Sequence, residues 1–339
     1  MDQPLLARDP EEGARLLALA FLDQAAAAFP RLEDHSDPEG LHDFRVALRR
    51  LRSCLRAYRA QLGRCLPKKL KKRLRRLARA TGPGRDTEVQ IEWLRGEGRH
   101  LAASHRAGLT WLLARLDERL QEAQARLASE LDEGFPVLEK DLRDRLSVYR
   151  TEVRLDAQAR RATFGEATAA ILRDQAAELE AHLACIEDAD GEEEAHQARI
   201  SAKRLRYLLD PLLDEIPSAA PVIKRLKALQ DVLGELHDAH VLETELQAGA
   251  SVAASDRASR RYRLAIQETP DEALVRAWRR NTVENGVIAL GRLNRARRDR
   301  LFAKLKEDWL RGQEAEPLRE LGEVAEELGG EATSFSTTA

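Results

Sequence analysis

His42, Arg45, Arg49 and Arg52 lie in the string HDFRVALRRLRSCL at positions 42–55, and His196, Arg199, Lys203 and Arg206 lie in HQARISAKRLRYLL at 196–209. Both strings keep the pattern H-x-x-R-x-x-x-[RK]-R-L-R in register. At about 100° per residue, His42, Arg45, Arg49, Arg52 and Arg56 fall within about 80° of one another on one helix face. The second copy makes the same stripe, except that Asp210 stands where Arg56 does. A second row follows each motif: Lys68, Lys72, Arg75 and Arg79 share a face, and Lys72, Arg73 and Arg75 match Lys224, Arg225 and Lys227, with Asp231 opposite Arg79. Guanidinium forks bind phosphate oxygens bidentately and lysine adds a point charge. The chemistry expected of these rows is anion binding.

The histidines stand at one edge of the cationic stripe. An adjacent anion favours the charged imidazole, so a pH-tuned phosphate contact is the preferred role of His42 and His196. A phosphoryl-accepting histidine on a helical bundle is the sharper alternative. His35, His100, His105 and His182 have no ligand spacing, whereas His237 and His240 are three apart beside Asp238. Their counterparts in the first copy are Arg85 and Glu88, so no metal site is expected. Asp86 and Asp238 recur after the aligned glycines, and one carboxylate per copy among many arginines reads as a helix cap or as a group that orients an arginine. No Walker motif, HExxH or nucleophile elbow occurs in the chain. No catalytic residue and no cofactor are expected.

Net charge is −2, but it is strongly segregated. Between His42 and Arg79 fifteen Lys and Arg face one acid, Asp43. A solvated helix normally pairs its cations with carboxylates a turn away, and this stretch offers almost none. Such a run repels itself unless an anion is present. Single-strand nucleic-acid binders interleave aromatics for base stacking, whereas Phe44 and Tyr58 project toward the apolar side and only Tyr207 falls near the stripe. Arg-rich rows with few aromatics suit the repeated phosphates of a linear polyanion. RNA or another nucleic acid is the weaker fit.

The elements that must hold these rows read as helices throughout. Aromatics are only 4%, Ala, Leu, Arg and Glu dominate, and no run shows sustained two-residue alternation. The fold class is all-α. Ala14 to Phe29 reads as an apolar helix, about Glu39 to Gly63 as the first motif helix, and Pro67 to Thr81 as a basic helix broken by the GPG at 82–84. Further helices are expected from about Asp86, over Leu109–Leu131 and over Pro136–Arg150. The second set covers Gly165–Ile186, Glu192–Ile216, starts near Ser218 and near Glu235, and a region from about Arg276 to Leu310. The residues Leu77, Gly82, Asp86 and Val89 correspond to Leu229, Gly234, Asp238 and Val241 at nearly the offset that relates the motifs. Two blocks in one order indicate an internal duplication. Residues 1–312 are expected as one domain with halves at about 10–150 and 151–312. The tail 313–339, with seven Glu, is expected to be disordered beyond a short helix.

Cys54, Cys65 and Cys185 form no CxxC and leave one unpaired, which speaks against a disulfide framework and for a reducing cytoplasm. The acidic start and the interruption of the longest apolar stretch by Asp23 and Gln24 give no signal peptide or membrane span.

The doubled motif, each copy followed by L-x-x-L-x-x-x-x-G-x-x-x-D, resembles the CHAD family, the α-helical domain named for its shared histidines. The resemblance covers roughly residues 10 to 312. It implies two pseudo-symmetric four-helix-bundle halves around a basic central groove or pore, and binding of inorganic polyphosphate. It also implies a cytoplasmic protein, with polyphosphate granules as a further association. Carried over position by position, it names His42, Arg45, Arg49, Arg52, Lys72 and Arg75 in the first half and His196, Arg199, Lys203, Arg206, Lys224 and Lys227 in the second. Some relatives carry an appended triphosphatase domain marked by an E-x-E-x-K strand, and no such strand occurs here. A stand-alone, non-catalytic binding module follows, with a polyphosphate-processing enzyme as the alternative. Asp210 and Asp231 make the halves unequal, so the first is expected to hold the anion more strongly.

Overall fold

Capping chemistry sets where the first two long helices begin. The Asp9 carboxylate accepts from the amides of Glu11 and Glu12, and α1 runs Pro10–Ala28; Asp37 accepts from Glu39 and Gly40, and α2, the first motif helix, runs Pro38–Ala57. The computed structural model describes residues 3–34, 37–63, 65–148, 162–266, 282–310 and 315–335. The remaining helices are α3 (Arg59–Leu62), α4 (Lys68–Ala80), α5 (Gly82–Glu97), α6 (Arg106–Leu146), α7 (Phe164–Ala184), α8 (Glu192–Leu209), α9 (Ala220–Ala265), α10 (Thr282–Leu305) and α11 (Ala315–Phe335). Among the described residues there is no strand, so the chain is all-α. No described helix is long and apolar enough to cross a membrane.

Several expectations about element boundaries fail: the motif helices expected over Glu39–Gly63 and Glu192–Ile216 end at Ala57 and Leu209, and three others fail for physical reasons. The GPG at 82–84 ends α4 but also begins α5, because proline is tolerated in a first turn. Pro136 does not divide α6, whose face Leu127, Leu131, Phe135, Leu138, Leu142 and Leu146 stays buried on both sides of it; that continuous packing outweighs one lost backbone bond. The helices expected from Ser218 and Glu235 are one, α9, whose buried positions continue through Gly234. Of the region expected from Arg276, residues 276–281 lie outside the described ones.

The acidic tail is corrected most. Leu321, Val324, Ala325 and Leu328 fall at i, i+3, i+4 and i+7 and are all buried in the main core. Helix α11 packs along α7 and against α9. A Cβ added to Gly165 on α7 would stand 2.7 Å from the Leu328 carbonyl oxygen, so only glycine permits that close approach. Arg225 on α9 pairs with Glu320 at 3.3 Å, and Arg173 donates to the Ala325 carbonyl at 3.2 Å.

Three sets of four helices result. In one, α1 packs on α2 and α6, and α4 closes against α2 and α6. In the second, α7 packs on α8 and α11, and α9 closes against both. In the third, α5, α6, α9 and α10 pack in a ring around Ile91, Leu94, Leu112, Leu116, Leu242, Leu246, Val287 and Leu290. The long helices α6 and α9 each pass from the third set into one of the others. The first two sets share one apolar core. Where they meet, Tyr58 stacks on Phe164 at 5.0 Å and shares a 2.8 Å hydrogen bond with Thr168.

Candidate anion-binding site

Phe44, Leu48, Leu51 and Leu55 are buried, so α2 faces the core as the spacing requires and its cations stand at the core's edge. Arg45 is itself 7% exposed. Its guanidinium crosses Gly84, where a Cβ would lie 3.6 Å from Nη2, and stands 3.7 Å from the Glu88 carboxylate. Burial pushes the Arg45 pKa down; Glu88 pulls it back, and Arg85 and Arg49 add to the fall. For Arg52 burial again lowers it, and its charged neighbours Arg75, Arg79 and Arg56 all lower it further. Among the described residues no carboxylate offsets them.

Helix α8 packs against α2 and brings the second stripe to the same place. Burial lowers the Arg199 pKa, Asp238 and Asp86 offset that, and Arg49 of α2 adds to it. Lys203 is pushed down to about 7, by burial first and then by Arg199 and Arg49. Arg206 is engaged otherwise. It donates to Gln230 at 3.0 Å, lies 3.4 Å from Asp210 and stacks on buried Tyr207 at 5.1 Å. Asp210, expected only to weaken the second stripe, also stands 3.4 Å from Arg50 and so ties the two motif helices together.

The structure supplies carboxylates that the 42–79 window lacks: Glu88 for Arg45, Asp210 for Arg50 and Asp141 for Arg73. Arg49, Arg52, Arg56, Lys72, Arg75 and Arg79 have no ion pair among the described residues. The Nε atoms of Arg45, Arg49 and Arg199 and the Nδ1 atoms of His196 and His237 are buried without a hydrogen-bond partner. Leaving a buried donor unmade costs about 1–3 kcal/mol. Orphaned nitrogens thus lie on α2, α8 and α9 at this cluster, as they also do at Arg50, Arg115 and Arg298 outside it.

Asp86 and Asp238 face this cluster and are not helix caps, since Asp86 follows the first turn of α5 and Asp238 lies within α9. Burial raises both carboxyls. Asp238 raises Asp86 further, while Arg199 and Lys203 hold both down. No hydrogen bond or ion pair joins either to an arginine among the described residues, so they act on the cluster as nearby charge.

Of the expected ligands, the structure brings together Arg45, Arg49, Arg199, Lys203 and His196, with Arg206 beside them, and separately Arg52, Arg56, Arg75 and Arg79. His42, Lys72, Lys224 and Lys227 are exposed, and no hydrogen bond or ion pair among the described residues ties them to the cluster. His237 was missed as a site residue. Its ring lies 4.9 Å from that of His196, while His240 donates from Nε2 to the Ala189 carbonyl, 2.8 Å away. The described residues hold no group of His, Cys, Asp and Glu able to bind a metal ion. The available signal was the repeated basic-Asp pair, Arg85-Asp86 and His237-Asp238.

An all-α protein in which two histidine- and arginine-bearing helices meet over a cationic cluster is the class these observations define. The chain belongs to the CHAD domain family, whose match runs over residues 17–247. No curated protein sequence matches it. Among solved structures it is similar to the CHAD domain of the plant Ricinus communis, with a TM-score of 0.58 and 22% identity over 83% of this chain and 92% of that one. It is also similar to PptA from Streptomyces chartreusis, with a TM-score of 0.50 and 16% identity over 94% of this chain and 99% of that one. At these identities the likeness is one of fold.

Proposed function

We propose that this protein is a non-catalytic binding module for inorganic polyphosphate, held between the α2 and α8 stripes. One observation carries the reading: the buried, partnerless Nε atoms of Arg45, Arg49 and Arg199 lie with Lys203, whose pKa burial and then Arg199 and Arg49 lower. A row of phosphates satisfies such donors with charge-assisted bonds. The lack of an exposed aromatic in the cluster favours phosphates over stacked bases, since Tyr207 is buried under Arg206.

We further propose that the chain is an internal duplication with the cationic cluster in a groove between its halves. Arg73 and Arg225, matched in sequence, pair with Asp141 on α6 and Glu320 on α11. That pairing supports reading α11 as the counterpart of the C-terminal part of α6. The domain then takes in the acidic tail. The compartment this reading implies is the cytoplasm, with polyphosphate granules as the place of association.

The test is a titration of long-chain polyphosphate against RNA at equal phosphate concentration, across salt, with orthophosphate monitored. Polyphosphate is expected to win, with affinity falling steeply as salt rises and no orthophosphate accumulating. Equal competition by RNA contradicts the ligand, and catalytic release of orthophosphate contradicts the non-catalytic role.

A further inference from the structure

His196 on α8 and His237 on α9 pack ring against ring, with planes 39° apart. Neither imidazole makes a hydrogen bond among the described residues, and Nδ1 of each is buried. Arg199, Lys203, Glu192 and Glu193 of α8 and His240 of α9 act on the pair. Beyond them, Arg85 and Asp86 of α5 and Arg297 of α10 act on Asp238, next to His237 in the chain, and Arg49 of α2 acts on Lys203. Helix α11 meets α9 at Arg225 and Glu320, and the turn Pro217–Ala219 has no titratable side chain. Cations dominate next to the rings. His237 stands where the first copy has Arg85, each just before an aspartate.

We infer that His196 and His237 form a phosphate subsite that becomes charged only when an anion occupies it, so that polyanion binding takes up protons. This rests on the polyphosphate reading above. Without an anion, burial and then Arg199 hold both imidazoles down, His237 to about 4. A phosphate over the rings reverses the local field and raises both values. Groups depressed in the free protein and restored in the complex bind protons on association, so affinity rises as pH falls between the free and bound pKa values. For His237 that window opens above about 4, and Lys203, at about 7, adds to it near neutrality.

The experiment is calorimetric titration of long-chain polyphosphate into the full chain at pH 6.5, in buffers of low and high ionisation enthalpy. Long chains keep the titrating end groups few. Net proton uptake is expected, smaller in His196→Gln/His237→Gln, with wild-type affinity rising about tenfold per pH unit for each proton taken up. Imidazole C–H resonances of the wild type supply a readout that does not depend on the variant folding: they should move to the charged form on binding. Binding without uptake, or resonances that stay neutral, overturns the subsite and leaves polyphosphate binding standing. Absence of polyphosphate binding at any pH removes both.

Discussion

Arg52 is surrounded by Arg56, Arg75 and Arg79, whereas Arg199 has Asp86 and Asp238 beside it. The same residue type therefore meets opposite fields in the two stripes. Asp86 and Asp238 repel an incoming phosphate while they offset the cations, so Asp86→Asn should tighten polyphosphate binding severalfold, about 1 kcal/mol. A titration in which this variant binds more weakly would mean that the carboxylates act by orienting arginines. The cationic stripe was legible at this scale, because a helix places i, i+3, i+7 and i+10 on one face. The pairing of Arg50 with Asp210 and the meeting of His196 with His237 were not. Each joins residues far apart in sequence, and only the packing of α2 on α8 and α8 on α9 creates them.

Helix α11 shows how composition can hide periodicity. Seven Glu in the last 27 residues suggested a solvated tail, yet the apolar positions Leu321, Val324, Ala325 and Leu328 keep helical spacing and fill one corner of a four-helix set. Leu321→Ala with Leu328→Ala should cost about 2–5 kcal/mol per residue and lower Tm accordingly. An unchanged Tm would mean that α11 contributes nothing to the core. Helix type was legible everywhere because the apolar period is 3.6, but helix ends were not. Pro136 and Gly234 carry breaking signals that long buried faces override, and at Gly82 the signal for an end was also a signal for a start.

The whole molecule has a net charge of −2, and that value describes none of its surfaces. Acids and bases are segregated in sequence and then partly recombined in space: α11 brings Glu320 to Arg225, and α6 brings Asp141 to Arg73. What stays without an ion pair among the described residues is Arg49 at the junction of α2 and α8 and the row of Arg52, Arg56, Arg75 and Arg79. There the shared core of the first two helix sets fixes both stripes, so the cations are held in place before any ligand arrives. The all-α class and the doubled motif helix were legible in the sequence. The shared core and the third helix set were not, because both depend on α6 and α9 crossing between sets.

Polyphosphate binding at the α2–α8 junction is tested most sharply by the affinity of long-chain polyphosphate for Arg49→Ala/Arg199→Ala/Lys203→Ala, compared with wild type at fixed salt and with the fold checked by circular dichroism. Removing each charge-assisted bond should cost about 1.5–3 kcal/mol, so binding should fall by orders of magnitude and its salt dependence should flatten. A folded triple variant that binds polyphosphate as tightly as wild type would remove the α2–α8 junction from the site.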